Sequence, residues 1–282
     1  MAGAEARIAI LGGKGMLGSD LATACRRQGY EPIVLDLPEF DITNAGQLER
    51  AVSEADLIVN CAAYTNVDGA ESEAEPAHEV NAEAVGRLGA VARAAGKWIL
   101  HISTDFVFDG KGDEPYVETD TPNPINTYGR SKLAGEKLLT GSGCRHCIMR
   151  VQWTYGRAGN NFVTKLISRA ETGQQIKVVD DQIGSPTATV EVARAICDLL
   201  PKQPEGIFHF AANGYVSRHE MAKFVFEKLS FEIDPAACKT SDFQSPALRP
   251  LNSRFDCSKI ATLLDGPIQP WQVPLEQFLR QL

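Results

Sequence analysis

Short apolar runs alternate with longer amphipathic stretches through the first half of the chain. Arg7-Ile-Ala-Ile-Leu11 is an apolar run stopped by Gly12-Gly13, and it reads as a strand. Leu17 to Gln28 carries apolar residues at Leu17, Leu21 and Ala24, the i, i+4, i+7 spacing of a helix face. Pro32–Leu35, Leu57–Asn60, Trp98–Ile102 and Cys147–Val151 read as further strands. Between them, helices are predicted over Asn44–Ser53 with Asn44 as N-cap, over Ala74–Ala95 closed by Gly96, and over Thr127–Leu139. Strands alternating with helices of this length predict an α/β fold, a Rossmann-like doubly wound parallel sheet covered on both faces.

After about residue 151 the rhythm becomes irregular, punctuated by Gly, Pro, Asn and Arg. The expected organisation is a dinucleotide-binding domain over 1–150, rejoined by a returning segment near 187–212 that includes a helix over Val190–Leu200. Residues 151–282 would mainly form a smaller mixed α/β substrate lobe.

Composition narrows the class. The chain has 282 residues, 44% hydrophobic and 23% charged, with 24 Gly and 15 Pro. These values exclude a collagen-like, coiled-coil or wholly disordered chain. A net charge of −8 argues against a nucleic-acid surface. No apolar stretch approaches the ~18 residues of a membrane span, so no membrane partner is expected. Met1 to Arg7 is too short and polar for a signal peptide. Seven scattered cysteines, an odd number, suit a reducing compartment, and the expected location is cytoplasmic. Cys144 and Cys147 have C-x-x-C spacing, but no second pair follows, so two ordinary thiols beside a strand are the simpler reading.

The candidate chemistry lies at strand ends. Gly12-Gly-Lys-Gly15-Met-Leu-Gly18 follows the first strand and opens the first helix, which suits a loop that lets backbone approach a pyrophosphate. Without a ligand it would be a glycine-rich turn. Asp36 ends the second strand, where an acid accepts from the adenosine ribose and repels a 2′-phosphate, favouring NADH. Lys14 argues for NADPH if it reaches that phosphate; the plain alternative for both residues is a solvated charge. Tyr128 and Lys132 stand at i and i+4 on one predicted helix and so share a face. A nearby ammonium and a cationic nicotinamide would favour the phenolate. Ser103-Thr104-Asp105 follows a strand at the ligand-binding edge, where a hydroxyl can meet a substrate carbonyl or cap a turn. His101, within that strand, reads as core or edge packing.

This set resembles the extended short-chain dehydrogenase/reductase family, and within it the dTDP-4-dehydrorhamnose reductases. Carrying the resemblance are Asn60-Cys-Ala-Ala-Tyr-Thr65 with Val67-Asp68, His101-Ile-Ser-Thr-Asp105 and Asn126-Thr-Tyr-Gly-Arg-Ser-Lys-Leu-Ala-Gly-Glu136. Trp153, Gly159-Asn-Asn-Phe162, Asp181-Gln-Ile-Gly-Ser-Pro-Thr187 and Arg249-Pro250 with Ser253 extend it over nearly the whole chain. The resemblance implies that Gly12, Gly15, Met16 and Leu17 serve the cofactor's pyrophosphate and Asp36 its ribose. Asp41 and Ile42 would border the adenine, and Ala63, Tyr64 and Thr65 would line the cleft. Lys132 would hold the nicotinamide ribose, Tyr128 would donate the proton, and Thr104 would tune their hydrogen bonding. Thr104, Asp105 and Trp153 would contact the sugar.

The implied activity is NAD(P)H-dependent reduction of a nucleotide-linked 4-keto-6-deoxy sugar, dTDP-4-dehydro-β-L-rhamnose to dTDP-L-rhamnose. Its rivals are reduction of another dTDP-4-keto sugar, a sugar epimerase, and a non-catalytic subunit like the methionine adenosyltransferase β subunit. Phe106 stands where the family usually has Tyr, and Gln152 replaces a small residue before the Trp. The resemblance allows a homodimer, and some members carry Mg²⁺ between subunits through glutamates. No such site maps here: Glu71, Glu73 and Glu75 read as a solvated helix start.

Overall fold

Six parallel strands form the middle of the molecule, in the order Gly206–Phe210, Arg145–Val151, Trp98–Thr104, Leu57–Asn60, Arg7–Leu11 and Glu31–Leu35, the last of them a partly exposed edge. The structure is a computed structural model that describes residues 6–173 and 175–282. Most of the N-terminal stretch read as too short and polar for a signal peptide, residues 1–5, lies outside the described residues.

The first half runs β1 (Arg7–Leu11), α1 (Met16–Arg27), β2 (Glu31–Leu35), α2 (Ala45–Glu54), β3 (Leu57–Asn60), α3 (Ala74–His78), α4 (Ala84–Ala94), β4 (Trp98–Thr104), α5 (Thr127–Gly141) and β5 (Arg145–Val151). The second half runs β6 (Thr154–Tyr155), α6 (Phe162–Glu171), β7 (Lys177–Val179), β8 (Ile183–Gly184), β9 (Thr187–Ala188), α7 (Thr189–Leu199), β10 (Gly206–Phe210), β11 (Val216–Ser217), α8 (Arg218–Lys228), β12 (Ala236–Cys238), α9 (Ser258–Ala261) and α10 (Gln272–Leu279).

Both sheet faces are covered, which is why the strands read as continuous apolar runs. On one face Leu21 and Cys25 of α1 pack with Val192 and Ile196 of α7. On the other, Leu48 and Val52 of α2 pack with Val85 and Leu88 of α4 and Leu139 of α5. Each such side chain contributes about 1.5–3 kcal/mol when fully buried. The return of α7 and β10 to the sheet brings Phe208 and Phe210 into the first of these cores. Ile260 of α9 joins it too, so chain well beyond residue 212 also packs on the sheet. A separate core forms around Tyr155, Leu166, Val225, Phe226 and Leu275. Among the described residues, no helix is long and apolar enough to cross a membrane.

Local signals act as expected at several ends. The Asn44 side chain accepts from Gln47 N at the start of α2. Gly96, at φ +66°, closes α4, and Lys97 N reaches back to Ala92 O. The predicted helix over 74–95 is interrupted by one π turn, Glu79–Glu83. That turn presents buried Asn81 to the loop after β3: its Oδ1 accepts from Tyr64 N, and its Nδ2 donates to Tyr64 O and Ser131 Oγ.

Glu71, Glu73 and Glu75 are exposed. Glu71 nevertheless accepts from Thr127 N at 2.7 Å and Thr127 Oγ1 at 2.9 Å, because the first turn of α5 has N–H groups without intrahelical partners. Glu73 accepts from the Tyr64 hydroxyl.

Candidate active site

In the sheet order, β1 lies between β2 and β3, so the connections after β1 and β3 diverge and leave a crevice at their carboxyl ends. A cleft of about 620 Å³ opens there. The glycine loop forms its floor. Gly12 has φ +72°, and a Cβ on it would come within 2.7 Å of Ala62 backbone, so the loops after β1 and β3 meet only because it is glycine. A Cβ on Gly18 would lie 2.2 Å from Gly12 O, which fixes the close approach of α1 to the loop. Gly15 is the N-cap of α1 with no side-chain cap bond, so the helix's first N–H groups remain free for an anion. Gly12, Gly15, Met16, Leu17, Asp36, Asp41, Ile42, Ala63 and Thr65 all line the cleft. This glycine-floored crevice at a helix N-terminus fits a nicotinamide dinucleotide.

Tyr64 is the exception among the expected lining residues: its hydroxyl is taken by Glu73, away from the cleft. Asp36 is more committed than a free ribose acceptor. Its Oδ2 accepts from Lys14 N and its Oδ1 from Leu37 N, each at 2.8 Å. The Lys14 ammonium is held by Glu39 at 2.5 Å and Leu37 O at 3.4 Å.

Tyr128 and Lys132 line the same cleft, and Lys132 is buried rather than exposed. Asn126 caps α5 by accepting from Gly129 N at 2.7 Å. A Cβ at Gly129 would stand 2.1 Å from Phe106 O, so glycine in Tyr128-Gly-Arg-Ser-Lys132 lets the helix close onto the Thr104 turn. Tyr128 and Phe106 then meet edge to face at 5.5 Å.

Thr104 both caps its turn and reaches the chemistry. Its Oγ1 accepts from Phe106 N at 3.2 Å and donates to Asp105 Oδ1 at 3.0 Å, and the residue lines the cleft together with Tyr128. Asp105 is buried, and Ser253 Oγ donates to its Oδ2 at 2.5 Å. Burial raises the Asp105 carboxyl, against its hydrogen bonds and Arg218. The expectation that a neighbouring ammonium lowers Tyr128 is not met by the protein alone. Burial raises it, Asp105 raises it further, and Thr104 opposes them. Tyr128 is thus held as the neutral phenol.

The far wall comes from the second half of the chain. Trp153 adopts φ +47°, a strained conformation for a side chain of its size and one found often at ligand sites. A Cβ on Gly184 would come within 2.6 Å of the Trp153 ring. The Arg218 guanidinium lies 3.5 Å over Trp153 and 4.7 Å from the Phe162 ring. Among the described residues that guanidinium makes no hydrogen bond or ion pair, and it lines the cleft. Gln152 is buried; its Oε1 accepts from Ser185 N at 3.0 Å, and its Nε2 has no partner among the described residues.

Sequence reasoning missed Arg218 and the Ser253 contact. Ser217-Arg-His-Glu220 forms a capping box at the start of α8. Nothing in it marks the first helical residue as facing a cleft built around residues far earlier in the chain. The C-x-x-C thiols Cys144 and Cys147 are buried and free at β5, remote from this cleft.

A doubly wound sheet, a glycine-floored crevice and a Thr/Tyr/Lys set at its edge define the extended short-chain dehydrogenase/reductase class. The model of the RmlD substrate binding domain matches residues 6–282. The chain belongs to that family, and several of its curated relatives are dTDP-4-dehydrorhamnose reductases. The enzyme of that name from Sinorhizobium fredii is 36% identical over 279 residues, covering 94% of each chain. The Escherichia coli enzyme is 34% identical, covering 98% of this chain and 97% of its own. The crystal structure of the Bacillus anthracis enzyme in complex with NADP superposes with a TM-score of 0.94 at 34% identity, covering 99% of this chain and all of that one.

Proposed function

We propose that this protein reduces the 4-keto group of dTDP-4-dehydro-β-L-rhamnose to give dTDP-L-rhamnose. The observation that carries the reading is the convergence of Thr104, Tyr128 and Lys132 on the glycine-floored cleft. When bound, NAD(P)H supplies the hydride that adds to sugar C4. Tyr128 gives its hydroxyl proton to the oxygen as negative charge develops there. Because burial and Asp105 keep Tyr128 protonated, it is in the form a donor needs. Thr104 orients that hydroxyl, and Lys132 holds the nicotinamide ribose. Asp105 and Trp153 meet the sugar, and Arg218 supplies the positive charge for the diphosphate. Binding the nucleotide against the second half of the chain orients C4.

A related dTDP-4-keto sugar is the second reading, favoured by Phe106 and Gln152 on the cleft wall. The deciding assay follows loss of reduced cofactor with each sugar. NADH binding without turnover on any of them leaves the non-catalytic subunit as the answer, and sugar interconversion without net NADH consumption leaves the epimerase.

For the cofactor, we infer NADH use at least equal to NADPH use. The carboxylate of Asp36 disfavours a 2′-phosphate, while the exposed Lys14–Glu39 pair is weak enough to open for one. Comparing kcat/KM for both cofactors in wild type and Asp36→Ala tests this. A strong wild-type preference for NADPH, unchanged by the substitution, contradicts it. The free thiols suit the cytoplasm. Mass and activity measured with and without a chelator address the homodimer and Mg²⁺.

A further inference from the structure

Helix α5 brings Lys132 against β4, with Nζ 2.8 Å from Ile102 O and 3.4 Å from His101 Nε2. His101 is wholly buried, and its Nδ1 lies 3.1 Å from Asn60 Nδ2 on β3. The Asn60 amide has one orientation. Its Oδ1 accepts from Ala62 N at 3.0 Å, and reversing it would set two donors face to face. Asn60 Nδ2 therefore donates to His101 Nδ1, and the proton of the neutral ring sits on Nε2. Nε2–H faces Lys132 Nζ. An ammonium has three donors and no acceptor, whereas a neutral amine offers a lone pair.

We propose that His101 is a positioning residue for Lys132: Asn60 locks its ring in the tautomer that aims Nε2–H at the lysine nitrogen, and this contact opposes the ammonium form. His101 itself stays neutral, because burial, then Lys132, then His146 on β5 hold it well below the usual imidazole range. Lys132 is faced by Glu136 and Tyr128 on its own helix, by His101 on β4 and by Cys61 after β3. Burial pulls it down to about 8, against Glu136 and then Cys61, whose thiol burial pushes up to about 12.

The consequence for binding rests on the reading of Lys132 as the ribose partner. If ribose hydroxyls accept from the ammonium, NADH binds the charged lysine, and affinity falls tenfold per pH unit above the lysine's midpoint. The tautomer and the lysine charge, by contrast, are properties of the protein alone.

The test starts with wild-type protein free of cofactor. ¹⁵N NMR of His101 is expected to show the proton on Nε2; a proton on Nδ1 overturns the proposal. Lys132 is then titrated through ¹³C-labelled Cε in wild type, His101→Phe and Asn60→Asp. His101→Phe keeps a ring and removes Nε2–H. Asn60→Asp keeps an acceptor for Ala62 N but turns His101 Nδ1 into a donor, leaving Nε2 bare to accept from the ammonium. In both, the midpoint is expected to rise, by about one pH unit or a tenfold change in proton affinity. An unmoved or lowered midpoint in the folded variants overturns the proposal. If His101→Phe does not fold, the tautomer and Asn60→Asp still decide. NADH affinity against pH separates the two readings. A midpoint that moves without NADH affinity following it removes the ribose contact and leaves the His101 role standing. A midpoint that stays removes the His101 role whatever NADH does.

Discussion

Two arginines carry charge below the surface, and their partners differ completely. Arg150 on β5 is buried and fully engaged: Nε donates to Glu136 Oε1 at 2.9 Å and Nη2 to Oε2 at 2.6 Å. Ser103 Oγ gives Glu136 a third bond at 2.5 Å, and His209 Nε2 lies 3.4 Å from Nη1. This network ties α5 to β4, β5 and β10. Arg218, half-buried over Trp153, has no such partners among the described residues. Burial pulls it down to about 9, with Asp105 opposing. A buried charge whose partners are all within the chain holds the fold. One left without partners beside a cleft is held ready for an incoming anion.

The sharpest way to break the comparison is Glu136→Ala. It leaves the Arg150 guanidinium buried and uncompensated, at an expected loss of about 3–5 kcal/mol in unfolding free energy. Urea unfolding measures it. A loss below about 1 kcal/mol would mean that the network does not hold the fold.

On the cleft side the effects should appear in rate rather than stability. Tyr128→Phe keeps the ring against Phe106 and removes the hydroxyl. Turnover is expected to fall by about 10²-fold or more, with NADH affinity and unfolding free energy nearly unchanged. Near-normal turnover would take Tyr128 out of the mechanism.

Arg218→Met tests the comparison directly. The thioether chain preserves apolar cover on Trp153 and Phe162 while removing the charge. Stability is expected to change little, because among the described residues the guanidinium has no hydrogen bond or ion pair to lose, only its contact with the Trp153 and Phe162 rings. Substrate binding is expected to weaken by about 1.5–3 kcal/mol, the value of a hydrogen bond to a charged group, seen as roughly a ten- to hundredfold higher KM. A destabilised variant with normal KM would place Arg218 with Arg150, as a structural residue.

The same contrast explains what the sequence reveals. The sheet, its covering helices and the Tyr128/Lys132 face follow from periodicity within single segments. The full extent of the returning chain is less legible: Ile260 packs on the sheet core although its helix has only four residues, too few to show a period. Asp36 and the glycine loop were recognisable by spacing, but the bonds that occupy both Asp36 oxygens come from backbone N–H groups, which every residue but proline carries. Arg218 and Ser253 reach the site from distant parts of the chain, and local pattern holds no record of that approach. His101 reads as packing because its burial is legible and its two nitrogen contacts, to Asn60 and Lys132, are not.

The smallest effect is expected at Phe106. Its ring stands edge to face with Tyr128 and lines the cleft, so the aromatic wall is intact without the hydroxyl that the family's usual tyrosine offers. A hydrogen bond contributes about 0.5–1.5 kcal/mol net, so restoring one through Phe106→Tyr should change kcat/KM by no more than about tenfold. The sign depends on the sugar. An increase with dTDP-4-dehydro-β-L-rhamnose means that its hydroxyls reach the new donor. A decrease there, with an increase for another dTDP-4-keto sugar, means that the phenylalanine side chain selects among substrates. A change well beyond tenfold would show that position 106 controls the geometry of Tyr128 itself, since one neutral hydrogen bond to the sugar cannot supply it.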